Sequence, residues 1–351
     1  MTGTDHPLRK DRGFTLAVCL PNYNHAAYLR QALDALLAQS LLPDRIWICD
    51  DASTDASPEI LREYAAQNIL IQVVRNPENR GMFFAVERFL AESREDFVCF
   101  CASDDFVLPG FLEKSVGLLM AHPEAGLCSG LSEIVAEDTG RRFVAMSPRP
   151  LDRPGYVSPQ RAAEFLYREG GWFWGNATMY RRSCLASHGA PDPLLGGWWD
   201  GLLSMEVALC EGACFIPEAL AVWRKAATGT MSAQSHGNLD AARRIFDRAL
   251  FLLDTRLRDR ITPAFRRRFV RRWLYDLATR QMADHPDRGT LVRLEGLVRT
   301  YDPTLARILP VLAALPPALC RTALAVLLRR HDVLPALLRR FRFRLRFPLN
   351  P

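Results

Sequence analysis

Nine cysteines occur, but no Cys-x-x-Cys pair. The odd number argues against a closed disulfide framework, and the spacing argues against a zinc site. Cys19, Cys49, Cys99 and Cys101 fall inside apolar, strand-like runs, where cysteine acts as a small buried hydrophobe. A reducing, cytoplasmic setting is the expectation. No stretch of about 18 uncharged apolar residues exists, so no membrane-spanning helix is predicted. Residues 1–12 are polar and lack the apolar centre of a secretory leader. Neither a Gly-x-Gly-x-x-Gly fingerprint nor a Walker phosphate loop is present. There is no fixed-period repeat and no low-complexity segment.

The charge that is present is unevenly placed. The net charge is +6, yet residues 301–351 hold nine arginines against two aspartates, a surplus of +7. The first 300 residues therefore sum to −1. The basic character belongs to the tail, which argues against nucleic acid as the partner of the main domain.

The most informative stretch is Asp96-Phe97-Val98-Cys99-Phe100-Cys101-Ala102-Ser103-Asp104-Asp105. Its apolar half suits a strand buried on both faces. It stops at two adjacent carboxylates, whose mutual repulsion a divalent cation relieves. A solvated Asp-Asp turn is the plainer alternative. Strands are also predicted at 14–20, 46–49 and 69–74, separated by helices over about 26–38, 57–67 and 82–93. Strands alternating with helices imply parallel pairing with right-handed crossovers. Further on, 126–135 reads as a strand, 141–159 as an irregular excursion and 161–169 as a short helix. Residues 171–180 read as an aromatic strand, 202–210 as an apolar helix, and 214–217 and 221–224 as closing strands. From about residue 238 Arg-rich helical patterns take over, at 241–258 and 263–283.

In an open α/β sheet, ligands sit beyond the carboxyl ends of the strands. Asn22 and Tyr23 follow the first strand, Asp50 and Asp51 the second, and Asp104 and Asp105 the fourth. Tyr23 offers a face for stacking a base. Asp50 or Asp51 can accept from a ring N–H or a ribose hydroxyl, and Asp105 can hold a cation between two phosphates. Without a glycine-rich loop, metal and basic groups such as Arg80 and Arg224 must neutralise those phosphates.

The segments Leu20-Pro21-Asn22-Tyr23-Asn24, Asp50-Asp51-Ala52-Ser53-Thr54-Asp55, Asn79-Arg80-Gly81 and Ser103-Asp104-Asp105 together resemble the signatures of family 2 glycosyltransferases. The resemblance runs over about residues 14–232. It implies a GT-A fold: a Rossmann-like mixed α/β sheet flanked by helices, here with a C-terminal helical extension. The expected organisation is a tail at 1–13, a GT-A domain at 14–235 and an Arg-rich helical region at 236–351. The resemblance assigns Pro21, Asn22, Tyr23, Asp50, Asp51, Arg80 and Asp104 to the nucleotide, and Asp105 to Mn²⁺ or Mg²⁺. It also implies an acceptor-side carboxylate, for which Trp198-Trp199-Asp200 is the matching element. Asp200 is then the general base, with Glu206 as the alternative. Trp198, Trp199, Arg224 and His236 are candidate sugar or acceptor contacts, with core packing the alternative for the tryptophans. His25 is read as solvated.

These features imply an inverting transferase that moves a sugar from a UDP- or dTDP-linked donor in surface polysaccharide or glycolipid assembly. A non-catalytic GT-A module that binds a nucleotide sugar, a glycan or a protein is the rival. A nucleotidyltransferase is disfavoured, because Pro21-Asn22-Tyr23-Asn24 is not a glycine-rich basic loop. In the tail, Phe341-Arg342-Phe343-Arg344-Leu345-Arg346-Phe347 alternates apolar and cationic residues. That pattern suits peripheral attachment to an anionic membrane surface near a lipid-linked acceptor. A helical cap on the enzyme or on a second subunit of a homo-oligomer is the alternative, and flotation with anionic vesicles separates the two.

Overall fold

The computed structural model describes residues 12–137, 139–188, 191–225, 239–284 and 288–307. Two compact units divide the chain. The first comprises Met1–Ala162 and Gly171–Ala249, and the second Ala163–Gly170 and Leu250–Pro351. The boundary expected near Ser235 falls outside the described residues, as do His236 and the basic tail beyond Arg307. Among the described residues, no helix is long and apolar enough to cross a membrane.

The first unit is built on one mixed sheet. β1 (Leu16–Asn22), β2 (Arg45–Asp50), β3 (Ile71–Arg75) and β4 (Phe97–Phe100) are the predicted apolar runs. β1 pairs in parallel with both β2 and β4, and β2 in parallel with β3. The core faces of β1 and β2 are fully covered, from Leu16 to Leu20 and from Ile46 to Cys49. α1 (Ala26–Leu37), α2 (Ser57–Gln67) and α3 (Met82–Glu92) are the crossovers. On α1 the buried residues are Leu29, Ala32, Leu33 and Leu36, a spacing that puts one apolar stripe against the sheet.

Beyond β4 the pairing changes sense. β9 (Thr178–Arg181) lies antiparallel to β4, and β6 (Leu127–Ala136) antiparallel to β9. β10 (Ala213–Lys225) runs parallel to β6, and the two-residue β5 (Phe106–Val107) closes the edge antiparallel to β10. The order is β3-β2-β1-β4-β9-β6-β10-β5, with β7 (Arg142–Val144) on β6 and β8 (Gly155–Val157) on β10. α4 (Phe111–Ala121), α5 (Pro159–Arg168), α6 (Arg182–His188) and α7 (Trp199–Glu211) fill the connections.

Several expectations are corrected here. The segment 141–159 contains β7 and β8 and is not wholly irregular. The two closing strands are one strand, β10, whose register slips between Phe215 and Ala221; Pro217 lies inside the slip and withholds a ladder N–H there. Only 178–181 of the aromatic stretch is strand, because Gly175–Ala177 forms a 3₁₀ turn. α7 starts at Trp199, so Asp200 lies in its first turn and not ahead of it.

In the second unit, α9 (Pro263–Asp284), α10 (Arg288–Tyr301) and the short α11 (Pro303–Ala306) follow α8 (Leu239–Arg256). Arg271 Nε meets Asp302 Oδ2 at 2.6 Å, and Arg266 binds both oxygens of Asp254 at 2.6 and 2.7 Å. Trp273 and Tyr301 stand edge to face, with ring centres 5.5 Å apart. The arginines of α9 also serve the interior segment of this unit. Arg272 donates to the carbonyls of Leu166 and Tyr167, and Arg268 to that of Arg168.

Candidate active site

The ends of β1 and β2 form the first part of the site. Asn22 Nδ2 donates to Asp50 Oδ1 at 3.1 Å and to Ser53 Oγ at 3.2 Å. Asp50 is 1% exposed, yet its Oδ2 has no hydrogen-bond partner and only an ionic contact of 3.3 Å with Arg75 Nε. Asn22 Oδ1 is likewise buried and unpartnered. Two buried acceptors without donors are costly unless something donates to them. Tyr23, next in the chain, is 42% exposed and free to stack. Pro21 is half-buried at the end of β1.

Most of the acidic loop after β2 is committed to the scaffold. Asp51 Oδ1 accepts from Asn76 Nδ2 (2.7 Å) and Arg80 N (2.9 Å), and its Oδ2 accepts from Gly81 N (2.7 Å). Asp51 thus holds the start of α3 with both oxygens, whereas Asp50 keeps one oxygen with no hydrogen-bond partner and is the better acceptor of the pair. Arg80 stacks its guanidinium 3.8 Å from the centre of the Phe84 ring. Asp55 accepts from Ala26 N (2.8 Å) and Ser57 N (2.9 Å), the first amides of α1 and α2. Neither His25 nor Ala56, the residues before those helices, supplies a cap of its own. Asn24 adopts φ 55° and Ala52 φ 61°, and Asn24 Oδ1 accepts from Thr54 N at 2.8 Å. The two turns are therefore locked together.

The third part follows β4. His25 Nδ1 is 2.8 Å from Ser103 Oγ, so His25 is tied to the Ser-Asp-Asp turn and not merely solvated. Asp105 is 6% exposed. Its Oδ1 accepts from the Arg224 backbone N–H at 2.8 Å and its Oδ2 from Asn176 Nδ2 at 3.1 Å. Burial, with the charge of Asp104 second, pushes the Asp105 carboxyl up to about 8. Arg224 donates through Nη1 to the Asp104 carbonyl at 3.0 Å and bonds Gln31 through Nη2. Its guanidinium is sandwiched between Tyr28 (5.1 Å) and Phe106 (4.9 Å). Arg224 is thus a clamp on the Asp-Asp turn and not the free sugar contact expected.

The fourth part is the start of α7. Asp200 Oδ1 accepts from Gly201 N at 2.7 Å. Burial raises its carboxyl above the ordinary value. A carboxylate in a first helical turn gains from the helix dipole, but here loss of water outweighs that gain. Trp199 is 5% exposed and packs edge-on against Phe100 (5.3 Å) and Phe83 (6.2 Å). It is core, the alternative raised for it from sequence. Trp198 is half-buried at the end of a 3₁₀ turn. Glu206, the alternative base, is buried and lies 3.4 Å from His188 Nδ1.

These parts share one rim. Asp51 holds Gly81, and Phe83, two residues on, touches Trp199 beside Asp200. Asn176 bonds Asp105, and a β carbon on the neighbouring Gly175 would meet Asp200 Oδ2 at 1.8 Å. Gly175 and Asn176 were not singled out from sequence, because the stretch reads as a strand. The Gly-Asn dipeptide was the turn signal available there.

The donor set suits one kind of cation. Among the described residues, no group of three or more His, Cys, Asp or Glu is placed to hold a metal, so a closed protein cage is absent from that part of the chain. A magnesium-type ion beside a nucleotide needs only one or two carboxylates, with phosphates and water completing the shell. Asp104 and Asp105 meet that need. Asp104 is half-buried, and each Asp105 oxygen accepts one bond from the protein and keeps a lone pair.

A parallel β3-β2-β1-β4 half joined to a half of mixed pairing, with helices in the connections, is the GT-A fold. Residues 17–188 match the family model described as Glycosyl transferase family 2. Asp200 lies just past that match. An uncharacterized protein of Mycobacterium tuberculosis is 30% identical over 211 residues, covering 59% of this chain and 58% of the relative. The putative glycosyltransferase EpsH of Bacillus subtilis is 29% identical over 177 residues, covering 50% and 49%. The chain thus spans about half the length of the curated relatives it matches. Among solved structures, Staphylococcus aureus TarS 1–349 in complex with UDP-GlcNAc aligns with a TM-score of 0.62 at 17% identity, over 89% of this chain and 91% of that one. The mannosyltransferase PcManGT of Pyrobaculum calidifontis, in complex with GDP-Man and Mn²⁺, aligns at 0.54 and 19%, over 88% and 87%.

Proposed function

We propose that this chain is an inverting glycosyltransferase, moving a sugar from a nucleotide diphosphate donor to a hydroxyl of a glycan or lipid-linked acceptor. The observation that supports the reading is that Asp50 ends β2 and Asp104-Asp105 follow β4, the two parallel neighbours of β1, while one turn touches both Asp105 and Asp200. The nucleotide sugars bound by TarS and PcManGT support a donor of this class. UDP- or dTDP-linked sugars are the first donors to try.

In this mechanism Tyr23 stacks on the base, while Asn22 and Asp50 accept from its edge or from the ribose. Asp104 and Asp105 would hold Mn²⁺ or Mg²⁺, which neutralises the charge of the departing diphosphate. The acceptor oxygen attacks the anomeric carbon as the bond from that carbon to the diphosphate oxygen breaks. The electron pair leaves with the diphosphate, and Asp200 takes the acceptor proton. A single displacement inverts the anomeric centre, as in glycosidases that use one base and no covalent intermediate.

The test is Asp200→Asn, with transfer and donor binding measured side by side. A general base contributes about 10²–10⁴-fold, so transfer should fall by that amount while donor affinity holds. Unchanged transfer would refute the assignment. A native chain that binds donors but transfers from none would favour a non-catalytic module.

A further inference from the structure

The 3₁₀ turn Gly175–Ala177 touches both carboxylates that the transfer requires. On one side, Asn176 Nδ2 donates to Asp105 Oδ2 at 3.1 Å. The Arg224 N–H takes the other oxygen, so the carboxylate is gripped at both ends and does not rotate. On the other side, Gly175 lies under Asp200. A β carbon there would sit 1.8 Å from Oδ2 and 2.8 Å from Cγ. Gly175 is not among the glycines of positive φ, so its backbone conformation is open to other residues. A β carbon there would push the Asp200 carboxylate out of the space it occupies.

The turn is itself pinned. The Trp174 carbonyl accepts from Ala177 N at 2.9 Å and from Thr178 Oγ1 at 2.7 Å. Trp174 Nε1 donates to Ser147 Oγ at 2.5 Å, and its ring packs 5.9 Å from that of Trp223, the neighbour of Arg224. Asn176 Oδ1 is buried without a partner. A half-satisfied amide is a poor choice for stability alone, which points to the other half, the grip on Asp105, as its purpose.

We propose that Gly175 and Asn176 are the positioning element of the transfer site. Asn176 aims Asp105 at the donor diphosphate, and Gly175 leaves the gap through which Asp200 reaches the acceptor. This inference rests on the reading of the site as a transferase. It gives adjacent residues opposite kinetic signatures, because each serves a different substrate.

The experiment compares Gly175→Ala and Asn176→Ala with the native chain and with Asp200→Asn. Gly175→Ala should lower kcat at least tenfold with the donor KM within about threefold. Asn176→Ala should raise the donor KM, and weaken UDP or GDP binding in the presence of Mn²⁺ by titration calorimetry, at least fivefold, with the smaller effect on kcat. A stability cycle needs no activity: Gly175→Ala should lower Tm in the native background and not in an Asp200→Ala background, where the collision is gone. Equal effects of the two variants on kcat and KM, or a Tm loss that persists without Asp200, would overturn the proposal. If Asp200→Asn leaves transfer intact, the transferase mechanism itself has failed, whatever the turn variants do.

Discussion

Asp200 sits where burial decides its chemistry. Loss of water raises its carboxyl above the ordinary range, so it holds its proton to a higher pH than an exposed aspartate. A base works only when ionised. The acid limb of the kcat/KM profile should therefore lie above about pH 4, the unperturbed aspartate value, with transfer rising as pH climbs through it. A limb at or below that value would mean that another group takes the proton. Asn22, Tyr23, Asp50, Asp104, Asp105 and Asp200 were legible in the sequence as polar residues at element ends. Asp51, Arg80, Arg224 and Trp199 also have partners within the protein that the sequence did not announce. A letter D does not tell whether a carboxylate faces a ligand or, like Asp51, the N–H groups of Arg80 and Gly81. Asn176 escaped notice because its partner, Asp105, lies 71 positions away.

Among the elements, α1 and α2 depend on one side chain. Asp55 serves the leading amides of both, from a loop that belongs to neither. Burial pushes its carboxyl up, but the N–H groups of Ala26 and Ser57 outweigh that and hold it below the usual value. Losing a helix cap costs about 0.5–2 kcal/mol. Asp55→Ala should destabilise the fold by an amount at the upper end of that range, measured by urea unfolding near neutral pH. With its carboxyl depressed on folding, the contribution is present above about pH 4 and fades as pH falls through the lowered value. Asp55→Asn, which still accepts, should recover part of the stability and lose that acid dependence. The β1–β4 half was readable because parallel strands buried on both faces are continuous apolar runs. β7, β8 and the slip in β10 were not: β7 is too short to show an alternation, and β8 pairs with Ala213, Cys214 and Phe215 far along the chain, which no local pattern records.

Across the whole molecule, the second compact unit includes residues 163–170 as well as everything from 250 onward. Carbonyls at 166, 167 and 168 accept from arginines of α9, about 100 positions further along. Ending the chain at Ala249 would strand those carbonyls in the middle of the retained part. Such a fragment should express poorly or unfold at lower temperature than the full chain, judged by soluble yield and thermal melting. A fragment as stable as its parent would show that the two units stand alone. The helices α8 and α9 announced themselves by Arg-rich periodicity, but the eight residues borrowed from upstream carried no mark of their destination.

That borrowing bears on ancestry and engineering. A module joined by one strand of chain can be exchanged by a single genetic crossover. Here a cassette swap would have to replace two separated stretches together, so the Arg-rich helices and the excursion between β8 and β9 should be inherited, and redesigned, as a matched set.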